Sequence, residues 1–133
     1  MSDQRSSGAE WGERFPCSCC GHRTLTGPPG CQEICPVCFW EDDVMQLRWP
    51  LLEKAANRVD LVTAQKNYQS FGASEERFSA SVRTAAKIEP VHELWRRIDL
   101  ARDDFEETLS ELAQWPSDRT VLYWWSDRYW RRS

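Results

Sequence analysis

Apolar residues recur at three- and four-residue steps through the C-terminal part of the chain. Val91, Leu94, Trp95, Ile98, Ala101, Phe105, Leu109 and Leu112 form one stripe, and Asp99, Asp103, Asp104, Glu106, Glu107 and Glu111 crowd the other side. This period predicts an amphipathic helix over 90–115. Pro90 suits its first position, and Pro116-Ser117-Asp118 ends it. A second helix is predicted over 60–71, with Asp60 as N-cap, Val59 as staple residue and Gly72 as the C′ glycine. Leu61, Ala64, Tyr68 and Phe71 keep one face of it apolar. Ser74 is placed to cap a further helix through ASEERFSASVRTAAK. In residues 44–58, Val44, Leu47, Leu51 and Leu52 have helical spacing, but Pro50 interrupts them, so a loop with a single helical turn is expected. The tail TVLYWWSDRYWRRS begins β-branched and aromatic, which predicts a short strand over 120–125, and ends basic.

Three regions follow. Residues 1–13 are polar and small and read as a flexible arm. Residues 14–83 hold a cysteine-rich domain. Residues 88–133 form a helical extension with an aromatic tail, packed on the same core. The 133 residues are enough to bury a real core, so cysteines need not carry all the stability. The class expected is α+β: a small ribbon-and-knuckle module with flanking helices, the C-terminal amphipathic helix and a short strand.

The net charge of −4 lowers the prospect of nucleic-acid binding, which draws most of its affinity from neutralising phosphates, and suits a basic partner instead. Eight tryptophans are a large aromatic load for this length and point to deep burial, a binding face, or both. The start MSDQRSSGAEWGER has no apolar core of a secretory signal, and no stretch of the chain is long and apolar enough to span a membrane. The compartment expected is the cytoplasm. There, clustered thiols bind metal or react rather than form structural disulfides.

All six cysteines lie between positions 17 and 38, within FPCSCCGHRTLTGPPGCQEICPVCFWEDD. Cys17 and Cys20 are separated by two residues, as are Cys35 and Cys38, with fourteen residues between the pairs. This is close to the spacing of a four-cysteine zinc site. Each pair can sit on a tight turn with both sulfurs converging on one ion, and two turns complete a tetrahedron. Gly21 supports the first turn, Pro36 stiffens the second, and TGPPG at 26–30 folds the chain back between them. Cys19 and His22 are alternative ligands, and iron is an alternative to Zn2+ in a thiolate tetrahedron. Cys31 reads as a bystander.

The runs FPCSCCG, EICPVCFWEDD and AANRVDLVTAQKNYQSFGASEERF together resemble the cysteine-rich CPCC family of bacterial proteins over roughly 15–83. The resemblance implies a zinc-binding domain, with Cys17, Cys20, Cys35 and Cys38 on the family's cysteine positions and Cys19 on its additional one. Ser18 stands where the family name has proline, and Ala55-Ala56-Asn57 resembles a more glycine-rich family segment. The family implies no established reaction.

Four thiolate ligands leave zinc no open position, so no enzymatic activity is expected. Glu41, Asp42 and Asp43 are placed as a general base in principle, but read better as an acidic, capping helix start. The leading functional expectation is a zinc-stabilised protein-interaction module, with an immunity or antitoxin role against a basic toxin as its concrete form. Its candidate contacts are Asp103, Asp104, Glu106 and Glu107, with Trp124, Trp125 and Trp130 as aromatic anchors. One alternative is single-strand nucleic-acid binding through Arg128, Arg131 and Arg132 interleaved with Tyr129 and Trp130. Another is thiol redox or metal sensing through Cys19 or Cys31.

Overall fold

The structure is a computed structural model that describes residues 14–106 and 114–131. The N-terminal arm, Glu107, Leu109, Glu111, Leu112 and Arg132 lie outside the described residues. Strand β1 (Phe15–Pro16) pairs antiparallel with β2 (Arg23–Leu25), in register Phe15 to Leu25 and Pro16 to Arg23 with an irregularity between. The first cysteine pair occupies the tip of this hairpin. Ile34 and Glu41 form an isolated antiparallel bridge, and the second pair occupies the tip between them. The chain between the two tips turns over 26–30, where Gly30 has φ of 100°. Its amide donates to the buried Asp42 carboxylate at 2.6 Å, which pins the turn to the stem of the second tip.

Helix α1 (Val44–Arg48) is the single helical turn expected before Pro50. Asp43 caps it, donating no proton but accepting from the Met45 amide at 2.8 Å, and also accepts from the Ala56 amide. Helix α2 (Leu61–Phe71) matches the sequence closely: Asp60 accepts from the Thr63 amide at its start, and Gly72 ends it at φ 77°. Leu61, Val62, Ala64 and Gln65 are its buried residues, while Phe71 is exposed.

Two buried amides hold the irregular chain around these helices. Gln46 donates through Nε2 to the carbonyls of Leu52, Asn57 and Val59 and accepts through Oε1 from Asn57. This shapes the 52–59 loop where glycines were absent. Gln65 donates to the Ser18 carbonyl and accepts from the Ile98 amide at 2.9 Å, so α2 joins the first cysteine tip to the later chain.

Three expectations are corrected. The helix over 90–115 is not formed in its described part, 90–106, which runs as turns and irregular chain. The backbone there is recruited elsewhere. Pro90 accepts from Arg23, Val91 bridges His22, His92 donates to Gly21, Ile98 donates to Gln65 and Arg96 accepts from the Trp124 indole. Groups committed to tertiary partners cannot also close i to i+4 bonds. Leu94, assigned to the apolar stripe, is more than half exposed. The strand expected at 120–125 is instead a 3-10 turn (Arg119–Leu122) capped by Asp118, followed by further turns. The helix expected after Ser74 shrinks to a 3-10 turn (Glu76–Phe78), because the Ser74 backbone is bonded to Cys38 and Asn67.

Side chains of the C-terminal chain belong to the buried cluster that holds the cysteines. Trp124 and Trp125 meet edge to face at 4.6 Å, Tyr123 stacks on Trp125 at 4.3 Å, and all three are buried. A guanidinium joins this chain to α1. The Arg48 side chain is 1% exposed and its Cζ lies 4.8, 4.5 and 4.6 Å from the rings of Trp49, Trp115 and Trp130. Glu106 accepts from its Nε at 2.5 Å and from Nη2 at 3.3 Å. The three indole faces supply cation–π attraction of about 0.5–2 kcal/mol each, and Glu106 supplies the counter-charge. Removing one partner of a buried pair strands the other, whereas an exposed pair is worth little. Glu106→Ala is therefore expected to cost about 3 kcal/mol or more. Asp104→Ala, which breaks the exposed pair with Arg131 at 3.0 Å, should cost under about 1 kcal/mol. Urea denaturation of the two variants side by side checks the contrast.

Candidate metal centre

The two cysteine tips have the same backbone. In the first, Gly21 donates to the Cys17 carbonyl at 2.7 Å and Cys17 donates to His22 at 2.9 Å. In the second, Phe39 donates to Cys35 at 2.7 Å and Cys35 donates to Trp40 at 2.9 Å. Each tip closes on a residue in the left-handed region: Gly21 at φ 81°, Phe39 at φ 69°. Glycine takes this conformation freely and phenylalanine does not. Phe39 is held there by its ring, 4.5 Å from that of Phe78.

The repeated turns aim four buried sulfurs at one point. The Sγ atoms of Cys17, Cys20, Cys35 and Cys38 all lie within 4.8 Å of one another. Cys17 and Cys38 are 3.6 Å apart, and Cys20 and Cys35 are 3.8 Å apart. A tetrahedron with metal–sulfur bonds near 2.3 Å puts its corners about 3.8 Å apart, so the cluster has the dimensions of a four-thiolate metal site. The Thr24 hydroxyl donates to Cys35 Sγ at 3.1 Å, an outer-shell bond that orients the sulfur and spreads its charge.

The electrostatics of the bare cluster point the same way. Hydrogen bonds from Cys17, then Cys20, Cys38 and Thr24, push the Cys35 thiol far down. Burial, helped by contacts with neighbouring thiols, pushes Cys17 and Cys38 well up. At Cys20 the bond with Cys17 lowers the value, but Cys35, Cys38 and burial together raise it. So the pocket holds one thiolate readily and resists the next three. A bound cation would remove that resistance and displace the remaining protons.

The other candidates stand apart. Cys19 is buried beside the cluster, in contact with the Cys38 thiol, but is not one of the four convergent donors. His22 Nδ1 lies 2.7 Å from the Glu89 carbonyl, a bond that holds the ring to the chain outside the cluster. Cys31 is half-buried near Asp42 and away from the four sulfurs, and burial raises its thiol. Glu41 pairs through its backbone with Asn57, Asp42 holds the 30–32 turn and Asp43 caps α1, so the acidic run is structural. Among the interaction candidates, Trp124 and Trp125 are buried and Trp130 lies over Arg48. Asp103 is bound to Arg96 at 2.7 Å, Asp104 to Arg131 and Glu106 to Arg48. Arg128 pairs with Asp118 at 3.4 Å. The expected acidic face is thus largely engaged within the molecule.

Several supporting residues were not singled out from the sequence. Ser74 donates its amide to the Cys38 carbonyl at 2.7 Å, and Arg83 donates to Pro36. Glu89 binds both Arg83 Nη1 and Nη2, and the 90–92 chain lies along the first tip. Tyr68, on α2, is pushed up to about 12, first by burial and then by the neighbouring cysteine cluster, which places it near the sulfurs. One signal was available: CSCCGH and CPVCFW align residue for residue, which marks Phe39 as the counterpart of Gly21.

A hairpin and a bridge that each present a C-x2-C turn to a common centre define a four-cysteine metal-binding module. The family model Cysteine-rich CPCC matches residues 15–89, and the chain belongs to that family. No curated protein matches the chain. The matched segment ends at Glu89, whose carbonyl bonds His22 at the first tip and whose carboxylate holds Arg83; the Arg48-bound tail lies beyond it.

An ideal Cβ on Gly21 would sit 2.5–2.8 Å from the Trp95 ring, while one on Gly72 would meet nothing within 4 Å. Both have positive φ. Gly72→Ala is expected to cost about 1–2 kcal/mol from backbone strain alone. Gly21→Ala should cost clearly more and loosen metal retention, measured by denaturation and by competition with a chelator. Arg83 holds the Glu89 carboxylate down at about 2, below its ordinary 4.5. A depressed acid contributes stability that is present above its unfolded value and lost as pH falls through 4.5 towards 2. Glu89→Gln should flatten that part of the pH–stability curve, followed by thermal melts at graded pH.

Proposed function

We propose that this chain is a non-catalytic zinc-binding protein-interaction module, acting as an immunity- or antitoxin-type inhibitor of a basic partner. The convergence of four buried cysteine sulfurs carries the first half of the reading. Cys17, Cys20, Cys35 and Cys38 would hold the ion and fill its coordination sphere. A closed thiolate tetrahedron supplies folding energy and cross-links the two tips; it has no position left for a water or a substrate. The borderline-soft zinc ion suits four thiolates, and iron is the competing occupant.

The net charge of −4 supports a basic partner. Of the proposed contact residues among those described, Asp104 keeps the most surface, with a side chain 67% exposed. Asp103 and Glu106 serve the interior as well, so their role towards a partner is to shape the local potential.

Metal analysis of protein purified from its native host, with co-purifying proteins identified in the same sample, tests both halves. One zinc per chain and a specific basic partner are expected. Iron at equal stoichiometry would reassign the ion, and the lack of any enriched partner would sink the inhibitor reading. Cys17→Ser or Cys38→Ser should abolish stoichiometric metal and cooperative unfolding, whereas Cys31→Ser should retain both.

A further inference from the structure

The four convergent cysteines are at most 2% exposed, so an ion bound by them is almost shut off from water and needs a way in and out. A cleft of about 590 Å3 lies against the centre. Both cysteine tips reach its wall: His22 follows the first pair, and Val37 sits between Cys35 and Cys38. Tyr68, Phe71 and Gly72 at the end of α2 form a second side, and the 82–85 chain forms a third. No cysteine is in the lining, so the sulfurs stand behind the wall.

Three observations tie the cleft to the ion. The 82–85 chain is fixed to the second tip, because the Arg83 amide donates to the Pro36 carbonyl at 3.1 Å. The Tyr68 hydroxyl has no hydrogen-bond partner among the described residues, and burial followed by the nearby cysteines keeps the phenol neutral, a spare donor close to the sulfurs. Nδ1 of His22 is spent on the Glu89 carbonyl. A carbonyl only accepts, so that nitrogen carries the hydrogen, and in the neutral ring Nε2 keeps its lone pair. Charge selects little here, since Arg83 is clamped by both carboxylate oxygens of Glu89. The cleft admits by size, and its volume suits a small molecule.

We propose that this cleft is the exchange port of the metal centre, where a small chelating molecule seats and takes the ion from the four sulfurs or delivers it. Zinc accepts a fifth ligand in passing. A donor atom of the chelator bonds the ion with its own lone pair. One zinc–sulfur bond then breaks with its pair left on sulfur, and that thiolate takes a proton from water. Repetition moves the ion across without any electron transfer. Loading is the reverse, with the thiol protons released. The Tyr68 hydroxyl and His22 Nε2 offer the seated chelator one donor and one acceptor. The inference rests on the metal half of the proposed function and is independent of any protein partner.

The test follows zinc loss from the full-length, zinc-loaded protein by metal analysis at timed intervals. The probes are free EDTA and EDTA coupled to a large dextran, at equal concentration of chelating groups. Free EDTA is expected to strip the ion at a rate that climbs with its concentration, and the dextran form to act far more slowly. Val82→Trp and Thr84→Trp, which fill the cleft from its irregular wall, should each slow free EDTA by about tenfold, about 1.4 kcal/mol of barrier, while zinc stoichiometry and equilibrium affinity stay unchanged. Phe71→Ala should quicken the loss. Leu51→Trp, at an exposed position outside this lining, should leave it unchanged. A rate independent of EDTA concentration would mean that the tips open by themselves, and would overturn the proposal. So would equal rates for the two forms of EDTA, or unslowed loss in both cleft-filling variants. Protein that holds no stoichiometric zinc at the outset would remove the metal reading together with the port. Stoichiometric zinc whose exchange ignores the cleft would remove the port alone.

Discussion

Four thiols at van der Waals contact in a buried pocket are an electrostatic problem before they are a structural feature. Only one of them sheds its proton readily without help. Everything around the pocket is arranged as though a cation completes it: the matched turns, the threonine hydroxyl on Cys35, the helix and the later chain braced against both tips. A protein of this length can bury apolar area enough to fold, but here the core includes four chargeable thiols that face one another. The apolar residues therefore act as a casing. They exclude water from the sulfurs, which strengthens any thiolate–cation attraction and makes the empty cluster costly.

The casing is built largely without regular secondary structure. Its continuity comes from side-chain amides and from backbone groups used across long sequence distances. Gln46, Asn57 and Gln65 act in place of strands, each tying two or three segments by hydrogen bonds. Such a framework is specific because every buried amide must be satisfied, and a shifted register would leave several groups unpaired at once.

This explains what could and could not be read from the sequence. The cysteine spacing, the turn at 26–30 and helix α2 with its two caps were legible, because each depends on residues a few positions apart. The 90–106 segment was misread for the converse reason. Its three- and four-residue apolar rhythm was real, but Arg23, Gly21 and Gln65 compete for its backbone, and no local pattern announces a distant donor. The acidic side chains of that segment were read as a face awaiting a partner. Three of them are matched to Arg96, Arg131 and Arg48, and a sequence shows charges without showing which are already neutralised. Tryptophan count was informative in kind but not in place: burial claimed Trp124 and Trp125, and a cation claimed Trp115 and Trp130.

The Arg48 arrangement has an optical consequence. Indole emission depends on the field and the water around the ring, and three indoles here share one fixed positive charge. Arg48 is also only ten residues from Cys38, on the helix that directly follows the second tip. Loosening that tip would release the guanidinium, wet the indoles and alter their colour. Emission from Trp49, Trp115 and Trp130 thus reports on a residue ten positions past Cys38, although two of these indoles lie in the C-terminal chain.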